Sequence, residues 1–115
     1  WPLQAGALIP SGLFDTDPFW RAAFEDILTV QFNHRILAYA TVITAIAAYL
    51  GGRLAIGPGR RIRYLKALAL AAVLQLALGV ATLLSVVAIP LAVLHQAGGI
   101  FLFCCAVLAY RAHRT

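Results

Sequence analysis

The sequence predicts an all-α integral membrane protein, with three transmembrane helices forming part of a helix bundle and an extracytoplasmic loop in front of them. Three observations predict it. The 115 residues are 63% hydrophobic and 11% charged, with a mean hydropathy of +0.89, which leaves too little polar surface for a soluble domain of this size. Three apolar stretches of about 20 residues or more follow one another, each sufficient to cross ~30 Å of hydrocarbon at ~1.5 Å per residue. The charges are segregated: all four acids (Asp15, Asp17, Glu25, Asp26) precede the first apolar run, and seven of nine bases (Arg53, Arg60, Arg61, Arg63, Lys66, Arg111, Arg114) flank the later ones.

Residues 1–26 form the first region. Turn formers (Pro2, Gly6, Pro10, Gly12, Pro18) alternate with aromatics (Trp1, Phe14, Phe19, Trp20, Phe24). The pattern fits a loop carrying a short interfacial helix started at Asp17-Pro18, or a solvated loop without one. Residues 27–115 form the second region. The first span is expected at 27–50, ended by Gly51, Gly52, Gly57, Pro58 and Gly59, the second at 64–89, and the third at 91–110 with Pro90 at its start, where a missing N–H costs little. Positive residues mark cytoplasmic flanks. The N-terminal loop is therefore expected outside and the C-terminus inside.

The net charge of +5 does not argue for nucleic acid, because no soluble scaffold presents the bases. Cys104 and Cys105 are adjacent inside an apolar run and read as packing residues, and no CxxCH motif is present. Residue 1 is not methionine, and no basic start followed by an apolar core suggests a signal peptide. The chain is therefore expected to be a mature product or a segment of something longer.

His34 and His95 carry the chemistry. Each lies a short way into a span from its outer end, and they are 61 positions apart, one excursion across the membrane and back. Ionisable side chains inside a membrane are costly and usually functional. Two imidazoles at matching depth suit the axial positions of a haem iron; zinc would need three or four ligands. Gly98 and Gly99 share the face of His95, while His34 lies in line with Ala38, Thr41 and Ala45, and Gln75, Gly79 and Thr82 make a third stripe. These small residues either clear space for a macrocycle or simply pack helices. Gln31 or Asn33 is a candidate partner for an imidazole N–H. Arg35 suits a haem propionate or a lipid headgroup, with the same ambiguity at Gln96. His113, in the basic tail, reads as solvated.

Three segments resemble the haem A synthase family. Val30-Gln31-Phe32-Asn33-His34-Arg35 is similar to its QF(N/D)HR stretch, Gln75 to Leu84 to its Q-x-x-LG-x-x-TLL helix, and Pro90 to Gly99 to its PLA-x-x-HQ-x-G segment. Trp1-Pro2-Leu3 and Leu8-Ile9-Pro10 resemble the loop that precedes them. The resemblance implies the last three helices of an eight-helix enzyme built from two related halves. That enzyme oxidises a methyl group of haem O to the formyl group of haem A. It implies non-covalent haem b ligated by His34 and His95, and a substrate pocket in an N-terminal half without which this segment is expected to be inactive; Arg35, Gly98 and Gly99 are the further candidates for haem contact that the residues themselves suggest. The expected setting is a lipid bilayer, the bacterial plasma membrane rather than the mitochondrial inner membrane, and a homo-oligomer is compatible with the sequence. Two alternatives stand: a membrane cytochrome b that only transfers electrons, and a small membrane subunit without a cofactor.

Overall fold

A computed structural model of the chain describes residues 1–114, with side chains up to Ala112; the expectation for the His113 side chain lies outside the described residues. The described residues form four helices: α1 (Phe19–Glu25), α2 (Ile27–Ile56), α3 (Arg60–Leu84) and α4 (Ile89–Arg114). The last three are long and apolar enough to cross a membrane, and no strand occurs among the described residues. The all-α membrane fold is therefore the one the composition required.

The boundaries differ from the sequence expectation at the glycines, of which only some end a helix. α2 runs through Gly51 and Gly52 to Ile56. Gly52 lies within the helix and close to α3: a Cβ there would stand 2.9 Å from Leu65 Cδ1 and 3.1 Å from Ile62 Cδ1. The stop is Gly57, whose φ of +77° is the left-handed turn that suits a glycine after a helix; its N–H bonds to the Arg53 carbonyl at 3.3 Å. α3 starts at Arg60 and ends at Leu84, five residues before the expected end. The turn at 85–88 follows, with the Ser85 hydroxyl donating to the Thr82 carbonyl at 3.0 Å and accepting from the Ala88 N–H at 3.3 Å. Pro90 then falls in the first turn of α4, where no N–H is needed.

The chain divides into two compact units, residues 1–40 and 41–115. In the first unit the N-terminal segment folds onto α2, which is why the unit reaches beyond the expected boundary at residue 26. Gln4 Nε2 donates to the Leu28 carbonyl at 2.9 Å and to Gln31 Oε1 at 3.4 Å. Trp1 meets Tyr39 edge to face, with centroids 6.4 Å apart. α1 is short, with Ala22 wholly buried. Its Arg21–Glu25 pair at 2.6 Å is exposed and adds little.

In the second unit α3 packs against α4, and the core is built from alanine. Ala45, Ala69 and Ala72 form its centre, flanked by Val42, Tyr49, Leu68 and Leu102. Small side chains bring helix backbones close, the usual basis of packing where water supplies no hydrophobic drive. Cys105 is buried in this unit and Cys104 is exposed. At the far end of the α3–α4 pair, Arg61 Nε donates to the Ala112 carbonyl at 3.2 Å.

Candidate functional site

His95 is half-buried on α4, and α3 provides its surroundings. A Cβ built on Gly79 would lie 2.9 Å from His95 Cε1 and 3.5 Å from each ring nitrogen. The imidazole therefore rests against the bare α3 backbone at that glycine. One turn earlier, Gln75 Nε2 donates to the His95 backbone carbonyl at 2.7 Å. Its Oε1 is buried without a hydrogen-bond partner and sits against Gly98, where a Cβ would overlap it; Gln75 Nε2 lies 3.5 Å from the Cβ position of Gly99.

Two of the small-residue stripes seen in the sequence thus face each other. Gly79 makes room for the His95 ring, and Gly98 makes room for the Gln75 amide. The clearance at Gly98 is filled by Gln75 from α3, not left for a macrocycle. Thr82, the third member of the α3 stripe, turns its hydroxyl back to the Leu78 carbonyl at 2.7 Å, the common membrane-helix solution for a buried hydroxyl. Ala45, in line with His34, belongs to the alanine core.

His34 is exposed on the part of α2 that lies in the first unit. The polar patch around it divides by face. Arg35 donates from its two terminal nitrogens to the Pro2 and Leu8 carbonyls, the latter at 2.9 Å, and its guanidinium lies 5.6 Å from the Phe32 ring centroid. With Leu28, Gln31 and Tyr39 it makes one stripe of α2, spaced by three and four residues, that holds the N-terminal segment. His34 stands off that stripe.

Arg35 is consequently a clamp on the loop. Arg35→Ala is expected to raise the rate of proteolytic cleavage within residues 1–18 several-fold. Arg35→Lys restores little, because an ammonium is a single point and not a fork. Cleavage at the wild-type rate in Arg35→Ala would remove the clamp.

Asp26 caps α2. Its carboxylate accepts from the Thr29 N–H at 2.9 Å, from the Leu28 N–H at 3.4 Å and from the Thr29 hydroxyl. Thr29 is fully buried, and its oxygen also accepts from the Phe14 N–H at 3.1 Å. The Thr29 hydroxyl, followed by its backbone N–H, holds the Asp26 carboxyl below the usual carboxylate range. Sequence reading noted Asp26 only as a charge. The Asp-x-x-Thr spacing at the start of an apolar run was the available sign of a cap.

Among the described residues no three His, Cys, Asp or Glu side chains gather as a metal-ion site. A haem iron brings four ring nitrogens and asks the protein for axial donors only. The His95 imidazole, seated against Gly79 with its backbone carbonyl held by Gln75, is a donor of that kind.

The family model described as cytochrome oxidase assembly protein (COX15-CtaA) matches residues 1–107. The chain is 44% identical to the heme A synthase of Granulibacter bethesdensis over 114 residues, which are 99% of this chain and 29% of that protein. It is 42% identical to the heme A synthase of Parvibaculum lavamentivorans over 115 residues (99% of this chain, 31% of that protein). With that of Bartonella bacilliformis it shares 38% over 112 residues (97% and 31%). The chain spans about a third of the length of the curated relatives it matches. No solved structure matches it.

Proposed function

This chain belongs to the cytochrome oxidase assembly protein family, and from that premise we propose that it is the haem-carrying C-terminal part of a haem A synthase. On this reading the whole protein is an oxidoreductase of the bacterial plasma membrane that converts the methyl group of haem O to the formyl group of haem A. The substrate pocket belongs to the part of the relatives' length that this chain does not span. The basic residues between 53 and 66 and at the C-terminus face the cytoplasm, and the N-terminal loop lies outside.

The observation that carries the reading is the setting of His95. An imidazole in the second turn of a membrane-length helix rests on a glycine of the preceding helix, with its own carbonyl held by Gln75. Intramembrane histidines so fixed are functional by default. On this reading His34 and His95 would hold the iron of a haem b. When bound, the haem supplies one-electron transfer through its iron. The chain's residues do the holding: Gly79 leaves the space that the His95 ring occupies, and Gln75 fixes the backbone from which that ring hangs; the Arg35 guanidinium, expected from the sequence at a propionate, is taken up by the Pro2 and Leu8 carbonyls instead.

Optical and electron paramagnetic resonance spectra of the natural-length protein, purified from haem-replete cells, test the ligation. The expected result is a six-coordinate low-spin signal that disappears in both His34→Ala and His95→Ala. A protein without a Soret band, or one whose low-spin signal survives both changes, overturns it. Turnover tests the enzyme: low-spin haem without conversion of haem O to haem A would leave a cytochrome b that only moves electrons.

A further inference from the structure

Away from the histidines, α2 and α3 enclose a cleft of about 260 Å³ lined by Ile46, Tyr49, Leu50, Lys66, Ala69, Leu70 and Val73. Toward the connecting loop, Gly52 lets α2 lie close to the Ile62 and Leu65 side chains of α3. The side of the cleft is open: Leu50 is 51% and Leu70 55% exposed, and both helices are long and apolar enough to cross a membrane.

The two walls share one gradient. On α3 the residues Arg63, Lys66, Leu70 and Val73 follow at spacings of three and four along one face, cationic toward the loop and apolar deeper. On α2 the run Ile46, Tyr49, Leu50 and Arg53 is the same in mirror order, with the Arg53 guanidinium 6.0 Å from the Tyr49 ring centroid. No acidic residue follows Asp26 in the chain, so these cations have no carboxylate on either wall.

We propose that this cleft is a binding site for an anionic phospholipid, its phosphate at Arg53, Arg63 and Lys66 and part of one acyl chain along Ile46, Leu50, Leu70 and Val73. The complementarity is of charge and depth together. A phospholipid places its negative charge at the interface, where the helices carry cations, and its hydrocarbon below, where they carry none. A protein segment seated here would need acidic residues level with the loop, whereas every anionic lipid of the leaflet already has its phosphate at that level. The site shares no residue with the proposed haem ligands and does not depend on them.

Native mass spectrometry of the natural-length protein in detergent, with phosphatidylglycerol and phosphatidylcholine of matched chains added in equal amounts, tests it. Retention of phosphatidylglycerol is expected to exceed that of phosphatidylcholine roughly tenfold. The exposed double variant Arg53→Gln/Lys66→Gln is expected to bring the ratio close to one with the helical circular dichroism unchanged. Leu70→Trp, which fills the cleft and leaves every charge, is expected to lower retention of both lipids. Excess inorganic phosphate should not displace the lipid. Equal retention by the wild type, a preference that survives Arg53→Gln/Lys66→Gln, full retention by Leu70→Trp, or displacement by phosphate would each overturn the proposal.

Discussion

Gly79→Val is expected to drive the His95 imidazole off α3 and, with it, to abolish the proposed haem ligation. The single Cβ of alanine already falls 2.9 Å from Cε1 of the ring, closer than carbon atoms approach without displacement. Valine adds two methyl groups beside that ring, which hangs from an α4 backbone whose register is held by the Gln75–His95 bond. Overpacking of a closely fitted helix pair costs about 1–3 kcal/mol, so the melting temperature falls whether or not haem is present. Two readouts separate stability from ligation: thermal unfolding of the haem-free protein and the low-spin haem content of the purified one. Gly99→Ala is the control, because its Cβ would meet Gln75 Nε2 at 3.5 Å, an ordinary contact. If Gly79→Val keeps both the wild-type melting temperature and the full low-spin signal, the seat plays no part in holding His95.

The Gln75 amide acts on the same histidine from the other side. Its bond goes to a helical carbonyl of His95, so Gln75 restrains the α4 backbone and leaves the ring nitrogens to other partners. The two devices are distinguishable in principle: Gly79 governs where the ring can lie, and Gln75 governs the height of α4 against α3.

Much of this was legible in the sequence. Length and hydropathy required three spans, the histidines stood out as costly, and the stripes Gln75–Gly79–Thr82 and His95–Gly98–Gly99 were visible at helical spacing. Their mutual engagement was legible too, though unread. A short turn at 85–88 makes α3 and α4 antiparallel neighbours, so residues about equally far from the turn come together: Gly79 with His95, and Gln75 with Gly98 and Gly99. What the sequence hid was the use of each polar group. Arg35 has the same charge whether it meets a headgroup, a propionate or two loop carbonyls, and only the backbone path of residues 2–8 brings the carbonyls to it. Gly51 and Gly52 resemble a break as much as a close approach, and the decision depends on Ile62 and Leu65, ten or more positions away.

Thr29→Val is expected to loosen the N-terminal segment and to flatten the acid dependence of stability together, because one buried hydroxyl serves both. Its oxygen accepts from the Phe14 N–H and its proton goes to the Asp26 carboxylate. Valine is nearly the same shape and fills the same fully buried site, so packing is conserved and the loss is of hydrogen bonds alone. Losing the Phe14 N–H bond, at an exposed residue, costs about 0.5–1.5 kcal/mol. The pH effect follows from the sign of the Asp26 shift. Its carboxyl is held below the ordinary 3.8, first by the Thr29 hydroxyl. A carboxylate so lowered contributes stability above that ordinary value and loses it as pH falls through the lower folded value. The wild type should therefore keep its melting temperature from neutral pH down to about 4 and lose it below. In Thr29→Val the fall begins from a lower plateau and is shallower, since only backbone bonds then favour the charged form. Thr29→Ser keeps both bonds and should restore the plateau and the slope. A valine variant with the wild-type plateau and acid slope would show that Thr29 contributes only its shape, and the tether between the loop and the helix cap would have to be sought elsewhere.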